Sequence, residues 1–431
     1  MKSKNKPTAL GTKNWFILVS LGLSGQIAWN VENSWFNTFV FDTITPDPSP
    51  IAIMVAVSAI TATVTTLIMG TISDQIGKRK PFILFGYVLW ALSTIAYPMA
   101  SWVKSIQLAV FLVILLDAVM TFFGSTANDA AFNAWVTDIT DETNRGLTEG
   151  VLTILPVLAV ILGMGLSGLL IDKFGYFVFF LTLGGLVLVM GLVGSLSLQE
   201  GPDLKPREKI TIRETLGELL DLFTIRTIKA NSELYLVFLI MVTFLISQQI
   251  VMPYELIYLN NYLHISKTNA GILTALIAPV LICFAIPIGK LTDLGYGFSV
   301  IIIGYMLSAL GQFLFSLTGE FWLLAVTGVI KSIGFLMMIV IGAWIRNLMP
   351  HDARGRFQGV RLIFAVMLPM VIGPAIGSFI INNFGIHTVM NGESGFIPVP
   401  LIYQVSAGFA ILPLIPLIIL RRRCRKKGLE L

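Results

Sequence analysis

Long apolar runs separated by short polar stretches make up most of this chain. Runs of about 20 mostly apolar residues, the length a helix needs to cross a hydrocarbon core, lie at 14–41, 51–72, 82–100, 107–135, 147–171 and 176–198. Six more lie at 234–259, 269–289, 298–317, 321–348, 358–382 and 399–420. The pattern predicts an all-α membrane protein of twelve transmembrane helices, and the even count puts both termini on one side. The longest polar stretch, 199–233, divides the runs into two sets of six. Within it Ile212, Leu216, Leu219 and Phe223 recur at helical spacing opposite Arg213, Glu214, Glu218 and Asp221. That predicts an amphipathic linker helix on the membrane surface. The expected organisation is a six-helix bundle over 1–200, a linker over 201–232 and a second six-helix bundle over 233–431.

Composition narrows the class. Of 431 residues, 55% are hydrophobic and only 12% charged, against roughly 25% charged in soluble domains. A soluble enzyme, a nucleic-acid-binding protein and a disordered chain are all excluded by that shortage. The basic pI near 9.1 is explained by position. With the N-terminus inside, 25 of the 29 Lys and Arg residues fall on inner segments, as basic residues do in cytoplasmic loops. Lys104, Lys173 and Lys267 fall outside, and Lys331 lies within a span. The tail Arg421-Arg422-Arg423-Cys424-Arg425-Lys426-Lys427 is then a topological anchor, and both termini are expected in the cytoplasm. The two cysteines, Cys283 in an apolar run and Cys424 in the tail, make no disulfide framework. The first run, after Lys2, Lys4, Lys6 and Lys13, is too long and too polar for a cleaved signal peptide.

The chain repeats itself. Gly70-Thr-Ile-Ser-Asp74-Gln-Ile-Gly77-Lys78-Arg79-Lys80 comes after the second span, and Gly289-Lys-Leu-Thr-Asp293-Leu-Gly-Tyr-Gly297 after the eighth. Ala134-Trp135-Val136 leads to Arg145-Gly146 and Gly150-Val151, as Ala343-Trp344-Ile345 leads to Arg354-Gly355 and Gly359-Val360. Ser24, Gln26, Ile27, Glu32 and Asn37 correspond to Ser247, Gln249, Ile250, Glu255 and Asn260. Three matches in order argue for two pseudo-symmetric halves, the build of secondary transporters that bind substrate near the midplane between them. The Gly70…Gly77-Lys78 stretch is no phosphate loop, since it has the wrong glycine spacing and no Ser or Thr after the lysine.

The loop between spans two and three closely resembles the hallmark of the major facilitator superfamily. In that family its acidic and basic residues fasten inner helix ends in the outward-open state. The resemblance gives this latch role to Asp74, Lys78, Arg79 and Lys80, with Asp293 a weaker copy and Arg145 and Arg354 at the paired downstream positions. It also implies that spans one, four, seven and ten line the cavity. These spans hold Glu32, Asp117, Asp129, Glu255 and Lys331.

Polar residues inside spans are costly and tend to face a cavity or one another. Gln26, Asn30, Asn33 and Asn37 keep helical spacing along one face, and amides suit hydroxyl-rich neutral ligands. Trp29 borders them and could stack on a sugar ring. The alternative is an interhelical seam worth about 0.6 kcal/mol per contact. The fourth span carries Asp117, Thr121, Gly124 and Asn128 on one face, with Asp129 alongside. A carboxylate withdrawn from water in a membrane cavity can take up and release a proton near neutral pH. Glu32 and Asp129 lead as proton-coupling candidates, with Asp117 and Glu255 next; alternatively Lys331 merely neutralises one of these acids. His264, His351 and His387 fall in loops. Gly163, Gly165 and Gly168 in span five answer Gly373, Pro374 and Gly377 in span eleven, which points to a rocking interface or to ordinary close packing.

Lys78-Arg79-Lys80-Pro81-Phe82-Ile83-Leu84-Phe85-Gly86 resembles a run of the sucrose permeases. Asp129-Ala-Ala-Phe132, continuing to Thr140, Asp141 and Arg145, resembles the fourth helix of the glycoside–pentoside–hexuronide cation symporters. That resemblance implies contact of Asp129 with both sugar and cation. Sodium-coupled members carry acids in helix two, where this chain has Ser58, Thr61, Thr63, Thr65 and Thr66, so the proton is the expected coupling ion, with uncoupled transport as the alternative. The combined expectation is a monomeric, proton-coupled importer of a sugar or glycoside, without cofactor, metal or nucleic-acid partner. An exporter of cationic or amphipathic compounds and a non-transporting sensor are the alternatives. No nucleophile–base pair or metal-ligand cluster points to an enzyme.

Overall fold

A computed structural model describes residues 10–141, 143–201, 204–206, 211–350 and 354–428, and of Ile212, Thr215, Leu216, Arg354 and Gly355 the backbone alone. Lys2, Lys4, Lys6 and His351 lie outside the described residues.

Backbone groups in lipid must be satisfied within the segment, so apolar runs of this length become helices. The twelve spans are α1 (12–43), α2 (Ser49–Ile76), α3 (Lys80–Trp102), α4 (Ile106–Ile139), α5 (145–174), α6 (176–197), α7 (Ser232–Tyr262), α8 (267–294), α9 (Gly297–Phe315), α10 (Phe321–Leu348), α11 (354–384) and α12 (Leu401–Lys427). The α5–α6 and α8–α9 pairs are nearly continuous and each breaks at one glycine, Gly175 at φ +77° and Gly295 at φ +81°. A side chain there would be strained, so glycine allows reversal without a longer loop.

The linker helix runs over Ile212–Asp221 and starts with a capping box. Glu214 N–H donates to the Thr211 hydroxyl, and Thr211 N–H donates to Glu214 Oε2 at 2.7 Å. The Thr211 backbone and hydroxyl together hold the Glu214 carboxyl below its ordinary pKa. Beyond the twelve spans the chain forms a hairpin of β1 (Ile386–Met390) and β2 (Glu393–Ile397), in a stretch expected only as a loop. Its turn is Asn391-Gly392, both at positive φ, a strong sequence signal for a hairpin.

Close packing recurs symmetrically within the halves. Gly22 and Gly163 let α1 and α5 approach, and Gly373 and Gly377 do the same for α7 and α11. Between the halves, Gly168 of α5 abuts the Lys267 and Thr268 backbone, and Gly271 of α8 abuts the Met164 carbonyl. The expected interface role of the glycines therefore holds for Gly168 in α5. In α11 the span meets the other half, as where Asn382 donates to Ser49, while Gly373 and Gly377 serve the alternative of close packing against their own half's α7.

The halves are tied together at the end that carries the β-hairpin. There Lys267 Nζ pairs with Asp42 at 2.9 Å, Thr268 donates twice to Asp172 at 2.7 Å, and Asn382 donates to Ser49 at 2.9 Å. The Tyr254 hydroxyl donates to the Pro48 carbonyl, Phe396 N–H to the Pro46 carbonyl, and Asn391 to the Asp42 carbonyl. A central cavity lies below this seal, on the side toward the linker helix.

Candidate functional site

The central cavity has a volume of about 270 Å³ and takes residues from both halves. Asn30 and Ser34 of α1 contribute from one side; Gln248 and Glu255 of α7 and Lys331 of α10 face them. Gln312 of α9 and Tyr403 of α12 also reach it. Lys331 pairs with Glu255 at 2.5 Å, and its ammonium lies 4.4 Å from the Phe315 ring centroid and 5.5 Å from that of Tyr403. The Glu255 carboxylate and two aromatic faces compensate a cation that would be costly alone in a membrane.

The amide stripe of α1 does not line this cavity as a unit. Asn30, Asn33 and Asn37 each donate Nδ2–H to the carbonyl four residues earlier, at 2.8, 2.8 and 3.1 Å. Asn30 lines the central cavity, Gln26 lines a second one, Asn33 is half-buried, and Asn37 is fully buried. Local geometry explains the burial of Asn37. Glu32–Phe36 forms a π-turn, which inserts one residue into the helical repeat and rotates the rest of the helix by about 100°. An unbroken period of 3.6 had placed all four on one face; Asn37 is corrected to a core position.

α4 divides in the same way across the π-helical segment Ser125–Phe132. Before it, Asp117 and Thr121 point into the N-terminal bundle. Glu32 Oε1 accepts from Thr121 Oγ1 at 3.0 Å and from Ser58 Oγ at 3.2 Å, and the two hydroxyls lie 2.7 Å apart. Asp117 is 2% exposed and lies near Glu32. Glu32 Oε2 and Asp117 Oδ1 are buried with no hydrogen-bond partner among the described residues. Asp117 and Thr121, expected as substrate contacts, thus belong to a buried acid–hydroxyl cluster and line none of the described cavities.

Within the π segment, Asn128 donates to the Tyr87 hydroxyl at 2.8 Å, which donates in turn to the Leu21 carbonyl. Asp129 is half-buried and accepts from Ser125 at 3.0 Å. Trp29 packs on Trp90 at 4.8 Å and lies near Asp129, though its indole N–H has no partner of good geometry among the described residues. Gln26 and Asn128 meet in the second cavity, of about 260 Å³, with Asn133 and Glu149. Trp29 and Asp129 line neither this cavity nor the central one.

The loop charges gather on Arg79, which is 3% exposed. It pairs with Asp74 at 2.6 Å and Asp138 at 2.9 Å and donates to Ser73. Burial alone would lower its pKa, but the bonds from Asp138 and Asp74 outweigh that and raise it. Glu200 accepts from the Arg79 and Lys80 backbone N–H groups, and Lys80 Nζ donates to the Leu196 carbonyl at 2.9 Å. These bonds join the ends of α2, α3, α4 and α6. Lys78, Arg145 and Asp293 are exposed, and the Arg354 side chain lies outside the described residues.

Sequence reasoning overlooked Gln312, Tyr403, Asp138 and Glu200. Gln312 carried a usable signal, a lone amide in the apolar run 298–317. The bonding of Asp138 and Glu200 to a residue some 60 and 120 positions earlier leaves no local trace.

A family model of the Major Facilitator Superfamily matches residues 15–252 and again 237–428. No curated protein sequence matches the chain. Among solved structures, the nucleoside transporter NupG is similar at 14% identity and a TM-score of 0.71, covering 95% of this chain and 99% of that one. The xylose transporter XylE from E. coli is similar at 12% identity and a TM-score of 0.66, covering 94% and 97%. A bacterial homologue of the human lysosomal transporter Spinster is similar at 13% identity and a TM-score of 0.68, covering 96% of each chain. At such identities the likeness is one of fold.

Proposed function

Because the chain belongs to the Major Facilitator Superfamily, we propose that it moves a sugar or glycoside across the cytoplasmic membrane by alternating access, as a monomer and in symport with protons. The observation that carries this reading is the placement of two sites on one turn of α1. Asn30 and Ser34 line the central cavity, and Glu32 between them enters the acid–hydroxyl cluster with Ser58, Thr121 and Asp117. A movement of this π-turn on substrate binding would reach the carboxylate directly.

The cluster suits a proton better than a permanent charge. Two acids with hydroxyl neighbours and no described cation beside them are costly when both are ionised in a membrane interior. Protonation neutralises them, and coupling between proton and substrate is reciprocal. Glu32 and Asp117 are accordingly the proposed proton-carrying pair. Asp129, bonded within its own helix and lining neither cavity, is the second candidate.

Amides, hydroxyls and aromatic rings around the cavity fit a neutral hydroxylated ring, and the xylose transporter among the similar folds agrees with that class. An exporter of cations is less well supported. The charged residues lining the central cavity, Glu255 and Lys331, neutralise each other, and Glu32 and Asp117 sit outside it. The linker end is assigned to the cytoplasm from the distribution of basic residues. The seal beside the β-hairpin then closes the outer face, and Arg79 organises the inner helix ends.

Uptake into proteoliposomes with a sugar panel and an imposed pH gradient tests the reading. Accumulation driven by an alkaline interior supports it. Accumulation indifferent to the gradient overturns proton coupling, and extrusion of cationic dyes without sugar uptake overturns the substrate class.

A further inference from the structure

We propose that Gln312 and Tyr403 form a recognition subsite on the C-terminal wall of the central cavity, which binds adjacent hydroxyls of an uncharged ring and discriminates against the ring's carboxylate form. The inference rests on the sugar-or-glycoside reading above and deepens it.

Gln312 is 1% exposed, lines the cavity, and has no hydrogen-bond partner for either amide atom among the described residues. Tyr403 is fully buried, lines the same cavity, and its hydroxyl also has no partner among the described residues. Buried polar groups in native proteins are nearly always bonded, and exceptions call for a reason. Three orphaned atoms from two helices, on one cavity wall, have a common explanation: the bound ligand supplies their partners. An amide offers an acceptor and two donors, and a phenol offers one of each. Two neighbouring hydroxyls on a ring present the matching set.

The adjoining ion pair sets the charge of that ligand. Lys331 and Glu255, 2.5 Å apart, leave the wall without net charge while each keeps spare bonding capacity for a hydroxyl. A carboxylate on the ring would compete with Glu255 for Lys331. Either the ring's acid or the half-buried Glu255 would then be left unpaired, a costly arrangement. Specificity arises here from a penalty on the wrong ligand as much as from attraction to the right one. The Phe315 and Tyr403 rings hold the lysine over their faces and limit its freedom to follow a second anion.

The test measures binding to the full-length protein in lipid nanodiscs by titration calorimetry. The probes are the methyl glycosides of glucose, galactose and xylose, the disaccharides sucrose, maltose and lactose, and glucuronate and galacturonate. The wild type is expected to bind at least one neutral sugar and to bind the uronates at least about tenfold more weakly. Gln312→Leu and Tyr403→Phe are each expected to weaken the neutral sugar about tenfold, the scale of one lost hydrogen bond. The ligand-free melting temperature of Gln312→Leu should equal or exceed that of the wild type, because an orphaned buried amide has been removed. Should Gln312→Leu fail to fold, Tyr403→Phe, which keeps the ring, carries the test. Undiminished sugar affinity in the folded variants, or a uronate bound as tightly as the neutral sugar, overturns the subsite and leaves the sugar reading intact. A wild type that binds no member of the panel overturns the sugar reading and the subsite with it.

Discussion

Lys331 Nζ sits 2.5 Å from Glu255 Oε1, with the ammonium over the face of Phe315. The pair joins α10 to α7 on the wall of the central cavity, so it holds the C-terminal bundle together as well as setting the cavity's charge. Lys331 is buried and Glu255 half-buried, and such a pair is damaged most by removing the partner of the buried charge, which is left uncompensated.

Glu255→Gln is therefore expected to destabilise the protein by about 3 kcal/mol, seen as a lowered melting temperature in nanodiscs. The double variant Glu255→Gln with Lys331→Met should recover most of that loss, since no lone charge remains. A double variant no more stable than the single one would show that the pair acts through packing.

Glu32→Gln removes the acid that bonds both Ser58 and Thr121 while keeping its shape. Proteoliposomes containing it should lose pH-driven accumulation yet retain sugar exchange across the membrane, which needs no net proton movement. The sign is specific: an alkaline interior raises wild-type accumulation and leaves the variant unchanged. Asp129→Asn should slow transport but keep the response to the gradient. The opposite result, with Glu32→Gln responding and Asp129→Asn not, would transfer the coupling role to Asp129.

Arg79 serves Asp74, Asp138 and Ser73 at once, a task for a planar fork with several donors. Arg79→Ala leaves two acids without their shared counterion and should cost about 3 kcal/mol. Arg79→Lys, with one compact ammonium, should recover less than half of the loss in a thermal melt. Full recovery by lysine would reduce the role of Arg79 to charge alone.

Gly168 lies against the Lys267 and Thr268 backbone where the halves meet beside the β-hairpin. A valine at this position has no room unless the halves separate there. Gly168→Val should lengthen spin-label distances across that end and reduce transport at least about tenfold, in keeping with the large effects of small misplacements. Unaltered distances with normal uptake would mean that the contact yields locally.

Much of the architecture is readable along the chain. The spans are set by the length of each apolar run, and the reversal at Gly175 takes the one residue type that tolerates its φ. The turn at Asn391-Gly392 is equally legible as a local signal, although a reading by span-length runs passes over so short a hairpin. The Arg79 cluster is half legible. Asp74 lies in the same motif, whereas Asp138 and Glu200 arrive from other helices.

The sequence by itself determined how many times the chain crosses the membrane, which polar residues it carries across, and that it consists of two related halves. These are local or repeated properties, and helix formation in lipid leaves few alternatives. Only the tertiary structure decided which polar residues share a site. The π-turns at Glu32–Phe36 and Ser125–Phe132 shift the helical register, so Asn30 meets the cavity while Asn37 is buried, and Asp117 joins Glu32 while Asn128 bonds Tyr87. The pairing of Lys331 with Glu255, and the reach of Gln312 and Tyr403 into the same space, depend on distances between helices. A one-dimensional period, read as constant, contains no record of those distances.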